Sequence, residues 1–409
     1  MKKSTLLIVF LTVLIDMLGI GVLIPIYPLI ISPSSHFSMV IANHISLNDA
    51  FIMLGWLTAC YPLMQFLFTP ILGQLSDMLG RRKILIISII GTIIGYIIFA
   101  QALTDKNIPI MFLARILDGI SGGSIAVAMA VIADISTPKT RAKNFGIVGV
   151  AFGLGFILGP AIGGYLSDEK IYNWFGITTP FYFLSIMGIV NLVLVYFCLP
   201  ETLPQKKSGK IRFFKAIHDI NTAFHNKDLG RFLIVVFLFA FGFCLFTSFW
   251  GVTLVNYFNF TQHQITNVFA YTGAWIMIGQ GLIVRKLVGK ITEKQTLPIS
   301  LFLDGLCIIS LFFIPVAHPS LIFIICTLLP IFHAINIVFC NSYLVSAFTD
   351  EHNRGQIIGI NTGIQCLATA LPAIAGGYLA EKFTNTHPLL LIAGAIIITA
   401  GLIFKIYKK

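Results

Sequence analysis

Twelve mostly apolar runs, each long enough to cross a bilayer as a helix, leave this chain few ways to fold. They fall at about 5–32, 50–72, 83–104, 108–135, 143–167, 177–199, 230–257, 264–288, 295–317, 319–347, 354–380 and 385–407. In hydrocarbon every backbone N–H and C=O must be bonded within the protein, and single runs of this length manage that as helices. The charged fraction agrees: it is 11%, less than half the roughly 25% usual in soluble domains. The first run follows Lys2 and Lys3 and continues through Asp16 to Ile31 without a small-residue cleavage pattern. It therefore reads as a spanning helix rather than a leader.

The basic residues follow the order of the runs. Of 27 Lys and Arg, only Lys106, Lys170 and Lys382 fall in one set of loops and Arg115 lies inside the fourth run. The rest gather in the alternate loops, at both termini and in the stretch 200–229. The positive-inside rule then predicts cytoplasmic termini and a cytoplasmic linker. The net charge of +11 is thus explained by topology, and no nucleic-acid partner is expected.

The halves also repeat. GPAIGGYLSDEK (Gly159–Lys170) is echoed by LPAIAGGYLAEK (Leu371–Lys382), with Gly164 and Gly377 lying 213 residues apart. The same offset relates Arg141 to Arg354, Gly146 to Gly359 and Arg81 to Lys294. A shift of six helices preserves orientation, as in parallel repeats about an axis normal to the membrane. The predicted fold is an all-α membrane protein of twelve transmembrane helices in two pseudo-symmetric six-helix bundles, 1–199 and 230–409, joined by the linker 200–229. Substrate is then expected near mid-membrane between the bundles.

Ionisable groups inside the runs are the natural places to look for chemistry, because burying a charge in a bilayer is costly. Asp16 lies deep in the first run and shares a helical face with Thr12 and Gly19. A low-dielectric site disfavours a lone carboxylate, which makes Asp16 a candidate proton carrier; the bland alternative is a structural acid bonded to a neighbouring helix. Asp304 in the ninth run carries the same two readings. Arg115 and Asp118 are i, i+3 neighbours that either neutralise each other or form a pair that opens on binding. Gln65, His333, Asn336 and Gln365 could hydrogen-bond a ligand or serve interhelical packing.

The seven cysteines sit inside apolar runs without metal-type spacing, so they read as small hydrophobes, and no metal is expected. No Gly-x-x-x-x-Gly-Lys-Ser/Thr motif occurs. No cofactor is expected, and the energy source would be an ion gradient or the substrate's own gradient.

GQLSDMLGRRK (Gly73–Lys83) places Asp77, Arg81, Arg82 and Lys83 in what reads as a short loop between the second and third runs, with Gly73 and Gly80 permitting a tight path. Gly155, Gly159 and Gly163 recur every fourth residue in the fifth run, beside Pro160 and Gly164, and would allow close helix approach and a bend. The first of these stretches resembles the signature loop of the major facilitator superfamily. The glycine stripe, with Gly146, resembles the antiporter motif of its drug–proton antiporter branch. Arg115 with Gly119, and Gly19 with Pro25 and Pro28, resemble two further motifs of the twelve-helix members. DMLGIGVLIPIYP, YPLMQFLFTPILGQLSD and VIADISTPKTRAKNFG are similar to stretches of tetracycline-efflux proteins.

The resemblance implies a secondary transporter rather than an enzyme: a monomer in a bacterial inner membrane that exchanges protons for a small amphipathic drug-like molecule. It implies that Asp77 and Arg81 join Asp134 in a conformational gate, with Gly73, Gly80 and Arg82 part of the same motif. It also marks a departure, since Ile276 stands near the place of the helix 8 histidine of classical tetracycline exporters. Two other functions compete with drug efflux: export of a self-made metabolite such as a siderophore, and a non-transporting membrane sensor.

Overall fold

The computed structural model describes residues 2–31, 38–136, 144, 150–151, 154–155, 158–203, 205, 215–287, 290–348 and 354–407. Arg141 and Gly146 lie outside the described residues. Eleven helices among those described are long and apolar enough to span a membrane. In chain order the helices are α1 (Lys2–Leu23), α2 (Leu47–Leu79), α3 (Arg81–Thr104) and α4 (Ile108–Ile135). The expected fifth span is described only in part, and its helical residues 158–166 are called α5. There follow α6 (Thr179–Cys198), α7 (Lys227–Asn256), α8 (Gln262–Ile278) and α9 (Glu293–Phe312). The series ends with α10 (Leu321–Phe348), α11 (Arg354–Phe383) and α12 (Leu389–Tyr407).

Local chemistry sets several of the ends. Asn107 accepts from the Ile110 N–H at the start of α4 (3.2 Å), with Pro109 in the first turn where its missing N–H does no harm. Asn226 caps α7, and Thr261 with Gln264 forms a capping box at α8. α4 is interrupted at Gly123, and α8 runs on through a π-helical turn, Gly279–Val284.

Three elements differ from the sequence expectation. The first span stops at Leu23, turns over Ile24–Ile26 and resumes as Tyr27–Ile31. Pro25 and Pro28 supply no N–H to carry the helix through. The second span does not stop at the signature stretch. α2 continues to Leu79, so Gly73 and Asp77 are helical and Gly80, at φ 108°, is the sole break before α3. An i, i+4 ion pair from Asp77 to Arg81 bridges that break. The charged linker also holds a helix, Lys215–His225, and Cys198 is exposed rather than buried.

The chain forms two compact units. Unit 1 comprises Met1–Leu29 and Cys60–Lys215; unit 2 comprises Ile30–Ala59 and Ala216–Lys409. In each, the helices meet through small residues, as expected where lipid is as apolar as the side chains and close packing must supply the attraction. In unit 1, a methyl group added at Gly155, Gly159 or Gly163 would run into Met17, Gly21 or Val22 of α1. In unit 2, Gly305 of α9 and Gly394 of α12 face each other so closely that a Cβ on either would stand 2.5 Å from the other's carbonyl oxygen. The start of α2, up to Ala59, belongs to this unit, and there Gly55 lies against Ala373 and Gly377 of α11.

Outward faces are apolar. Along α3, Ile87, Ile90, Ile94 and Ile97 are exposed while Ser88, Thr92 and Tyr96 are buried. That inversion of the soluble pattern suits a surface solvated by acyl chains.

Candidate functional site

Each unit buries a cluster of polar side chains. In unit 1, Asp16 lies in the middle of α1 and is 6% exposed. Its Oδ2 accepts from Ser124 Oγ at 2.8 Å, the first residue of α4 after the Gly123 break. One turn earlier, Thr12 Oγ1 accepts from Asn191 Nδ2 of α6 at 3.0 Å. Thr12, Asp16, Thr92 and Asn191 line a crevice with room for about one water, which a polar wall of this kind can hold.

Arg115 and Asp118 are brought together on α4, with Arg115 Nη1 donating to Asp118 Oδ2 at 2.8 Å and both side chains buried. The guanidinium lies 4.9 Å from the centroid of the Tyr61 ring, an aromatic face that favours a cation. Gln65 Nε2 donates to Tyr61 Oη (3.3 Å) and to the Gly122 carbonyl (3.1 Å). Tyr96 donates to the Ile15 carbonyl at 3.3 Å and lies within electrostatic range of Asp16, Asp118 and Arg115. Four of the expected residues, Asp16, Gln65, Arg115 and Asp118, therefore share one neighbourhood.

At the linker end of unit 1, Arg81 sits between two acids. Its Nη1 is 2.6 Å from Asp77 Oδ1 and its Nε is 3.1 Å from Asp134 Oδ2. Nη1 also donates to Ser76 Oγ at 2.6 Å. Glu201, at the start of the linker, completes this end. Its carboxylate accepts from the Arg81 N–H (2.9 Å) and the Arg82 N–H (3.3 Å), where Gly80 offers no capping side chain. A negative group at a helix N-terminus is favourable. Arg82 bonds the Tyr196 carbonyl and lies over its ring, while Gly73 packs near Ala126. In α5, Pro160 and Gly164 are buried beside the stripe of Gly155, Gly159 and Gly163.

In unit 2 the cluster is built from α7, α9 and α10. Asp304 is 0% exposed, at mid-helix rather than near an end. Its Oδ2 accepts from Asn336 Nδ2 at 2.9 Å and lies 3.5 Å from His333 Nδ1. Ser300 Oγ donates to Asn336 Oδ1 at 2.6 Å. The His333 ring stacks on Phe243 at 3.4 Å between centroids, with Phe239 at 5.2 Å. Gln365 stands apart, half-buried on α11.

Several participants escaped the sequence reading: Ser124, Tyr61, Tyr96, Asn191, Ser300 and Glu201. All but Glu201 are uncharged residues that a membrane helix carries routinely, so nothing in their spacing separates them from packing. Glu201 carried a weak signal, as the acid immediately after the sixth span.

Comparison with known proteins follows the same outline. Residues 9–373 match the Major Facilitator Superfamily. The tetracycline resistance protein, class C, of Escherichia coli is 28% identical across 97% of this chain and 95% of its own length. The multidrug resistance protein 2 of Bacillus subtilis is 26% identical across 100% and 96%. The crystal structure of the human organic anion transporter MFSD10 shares the fold at a TM-score of 0.73, with 21% identity over 98% of this chain and 99% of that one.

Proposed function

This chain belongs to the Major Facilitator Superfamily of membrane transporters, and from that premise we propose that it exports a small amphipathic molecule in exchange for protons. The observation that carries the proposal is Asp16: a carboxyl group buried in the first span, held by one hydroxyl and opening on a crevice large enough for about one water. A buried carboxylate without a permanent counter-ion is costly when ionised, so proton uptake and release there are coupled to its surroundings.

In the proposed cycle, protonated Asp16 loses its hold on substrate and favours return of the empty site. Release of the proton restores affinity. Exchange follows where proton and substrate exclude each other. Arg115 and Asp118 would form a pair whose opening adjusts the same neighbourhood. The Asp77–Arg81–Asp134 cluster would hold one conformation closed at the linker end, tightened by Glu201. The glycine face of α5 supports the antiport direction by its resemblance to the exporter motif. We propose that both termini face the cytoplasm, on the distribution of the basic residues, and that the membrane is a bacterial cytoplasmic one, on the likeness to bacterial resistance proteins.

Similarity to tetracycline and multidrug resistance proteins supports a drug-like substrate. An organic anion is the second class to test, on the likeness to MFSD10. The test uses everted membrane vesicles with ethidium, tetracycline or a fluorescent organic anion, with and without an imposed proton gradient. Gradient-dependent accumulation supports the reading; equal rates in both conditions reject proton coupling.

A further inference from the structure

We propose that Tyr172 and Trp174 anchor unit 1 in the headgroup–acyl boundary of the bilayer, at the end remote from the linker. The partner is the glycerol and ester-carbonyl layer of a phospholipid leaflet. The anchor is independent of the direction and coupling of transport.

The connection between α5 and α6 is short and turns aromatic side chains outward. Trp174 is 72% exposed and Tyr172 is exposed beside it, whereas Phe175 is 7% exposed and acts as their peg. The Phe175 ring meets Trp174 at 4.5 Å between centroids and 76°, and Tyr172 at 5.2 Å and 70°. Tyr165 of α5 lies 6.0 Å from the same ring. Edge-on contacts of this kind are a favoured aromatic geometry. The backbone beneath is tied down. The Ile171 N–H donates to the Asp168 carbonyl at 3.1 Å, and the Phe175 N–H to the Tyr172 carbonyl at 2.9 Å. The Gly176 N–H reaches both the Leu166 carbonyl (3.2 Å) and Thr179 Oγ1 (2.9 Å), closing the connection against the ends of both helices. A fixed backbone thus holds the two rings outward, and a contiguous exposed apolar surface marks an interaction site.

Its place along α6 names the partner. α6 is the most exposed of the described spans of unit 1, and Ile186, Ile189, Val190 and Val193 lie on its open face. It has 20 residues, which at about 1.5 Å each cover about 30 Å, the thickness of the hydrocarbon core. Exposed rings stand at both ends of that length. Tyr172 and Trp174 come just before Thr179, and Tyr196 and Phe197 just before the end at Cys198. Indole and phenol prefer the two boundaries, where the ring is sheltered and its N–H or O–H stays hydrogen-bonded. Charge does not explain the seating, because Glu169 and Lys170 beside the rings are both exposed and offset one another. The repeat supplies a separate mark of the same level: Tyr165 and Tyr378, 213 residues apart, are exposed near the corresponding ends of α5 and α11.

The test uses the full-length protein in phosphatidylcholine vesicles and reads depth from the quenching of tryptophan emission. Of the four tryptophans, Trp174 is isolated as the difference between wild type and Trp174→Phe. A variant carrying Trp56→Phe, Trp250→Phe and Trp275→Phe isolates it a second way. The greatest loss of Trp174 emission is expected with lipid brominated near the ester end of the acyl chain. Bromine near the chain terminus should quench less, and iodide in water least. Strongest quenching by iodide would make this a water-exposed loop. Strongest quenching at the chain terminus would put the ring in hydrocarbon, and no quenching would bury it against protein. Each of these three results overturns the proposal. Adding phosphatidylglycerol should leave the depth unchanged; a shift would overturn the role of the rings and assign the seating to Lys170. If the triple variant fails to fold, the wild-type difference still decides. Because no transport is measured, failure here leaves proton-coupled export untouched, and failure of export leaves the anchor in place.

Discussion

In unit 1, the buried Asp118 has a permanent partner, since Arg115 stays charged at every accessible pH and lies 2.8 Å away. In unit 2, Asp304 faces His333, whose charge depends on a proton, at 3.5 Å. The first arrangement is an ion pair that is neutral by composition. The second sets a carboxyl group beside a histidine at a longer distance, with no permanent cation. Carrying the 213-residue offset back from Asp304, His333 and Asn336 reaches Gly91, Ile120 and Gly123, whereas Arg115 and Asp118 map forward to Leu328 and Ile331. The repeat therefore preserves spans and small-residue contacts and does not preserve the buried chemistry. Helix packing constrains residue size at many positions, while a polar cluster can be placed wherever a few side chains meet.

The largest expected effect tests the unit 1 side of this contrast at Asp16. Asp16→Asn should lower gradient-driven efflux in vesicles by about a hundredfold, in the range typical of a lost proton-transfer group. Substrate exchange without a gradient should survive. Arg115→Ala comes next. It leaves Asp118 buried without its partner, a loss of about 3–5 kcal/mol that should appear as a lower thermal midpoint in detergent. Arg115→Ala with Asp118→Ala should recover much of it, whereas no recovery would mean that the pair is not the unit that matters.

Helix packing yields an intermediate effect. Gly159→Leu pushes a side chain into Gly21 of α1 and should cost about 1–3 kcal/mol by overpacking, read from the same melting curve. Glu201→Ala removes the acceptor at the start of α3 and should cost about 1 kcal/mol, a capping loss that Glu201→Gln should partly restore.

The smallest effect sharpens the unit 2 side. His387 resembles His333 in its stacking, lying 3.6 Å from Tyr257 and 4.4 Å from Phe312 between ring centroids, but it lies outside the spans and no ion pair to an acid is seen among the described residues. Burial holds its imidazole below the usual value of 6.5. The unfolded chain then binds the proton first on acidification. The stabilisation is complete above pH 6.5 and is lost as pH falls toward the lower folded value. His387→Asn should flatten that part of the melting-temperature profile, and His333→Gln should leave it in place.

Much of this was legible in the residues. The spans follow from hydropathy because lipid demands uninterrupted helices, and Arg115–Asp118 follows from i, i+3 spacing on one helix. Charge and glycine in the signature stretch signal a loop. An ion pair and a single left-handed Gly80 let α2 continue instead. Asp304 and His333 were each visible as ionisable residues in apolar runs. Their meeting was not, because they lie on separate helices with no periodicity linking them.

By itself, the sequence determined the membrane class, the two-fold repeat and the family, because each is written in local composition or in short contiguous motifs. The tertiary structure alone decided which polar side chains share a pocket: Ser124 on Asp16, Tyr61 under Arg115, Glu201 on the start of α3, and His333 against Asp304. Those contacts depend on the angle and rotation at which separate helices pack. Many side chains jointly set that geometry, and no single stretch of the chain encodes it.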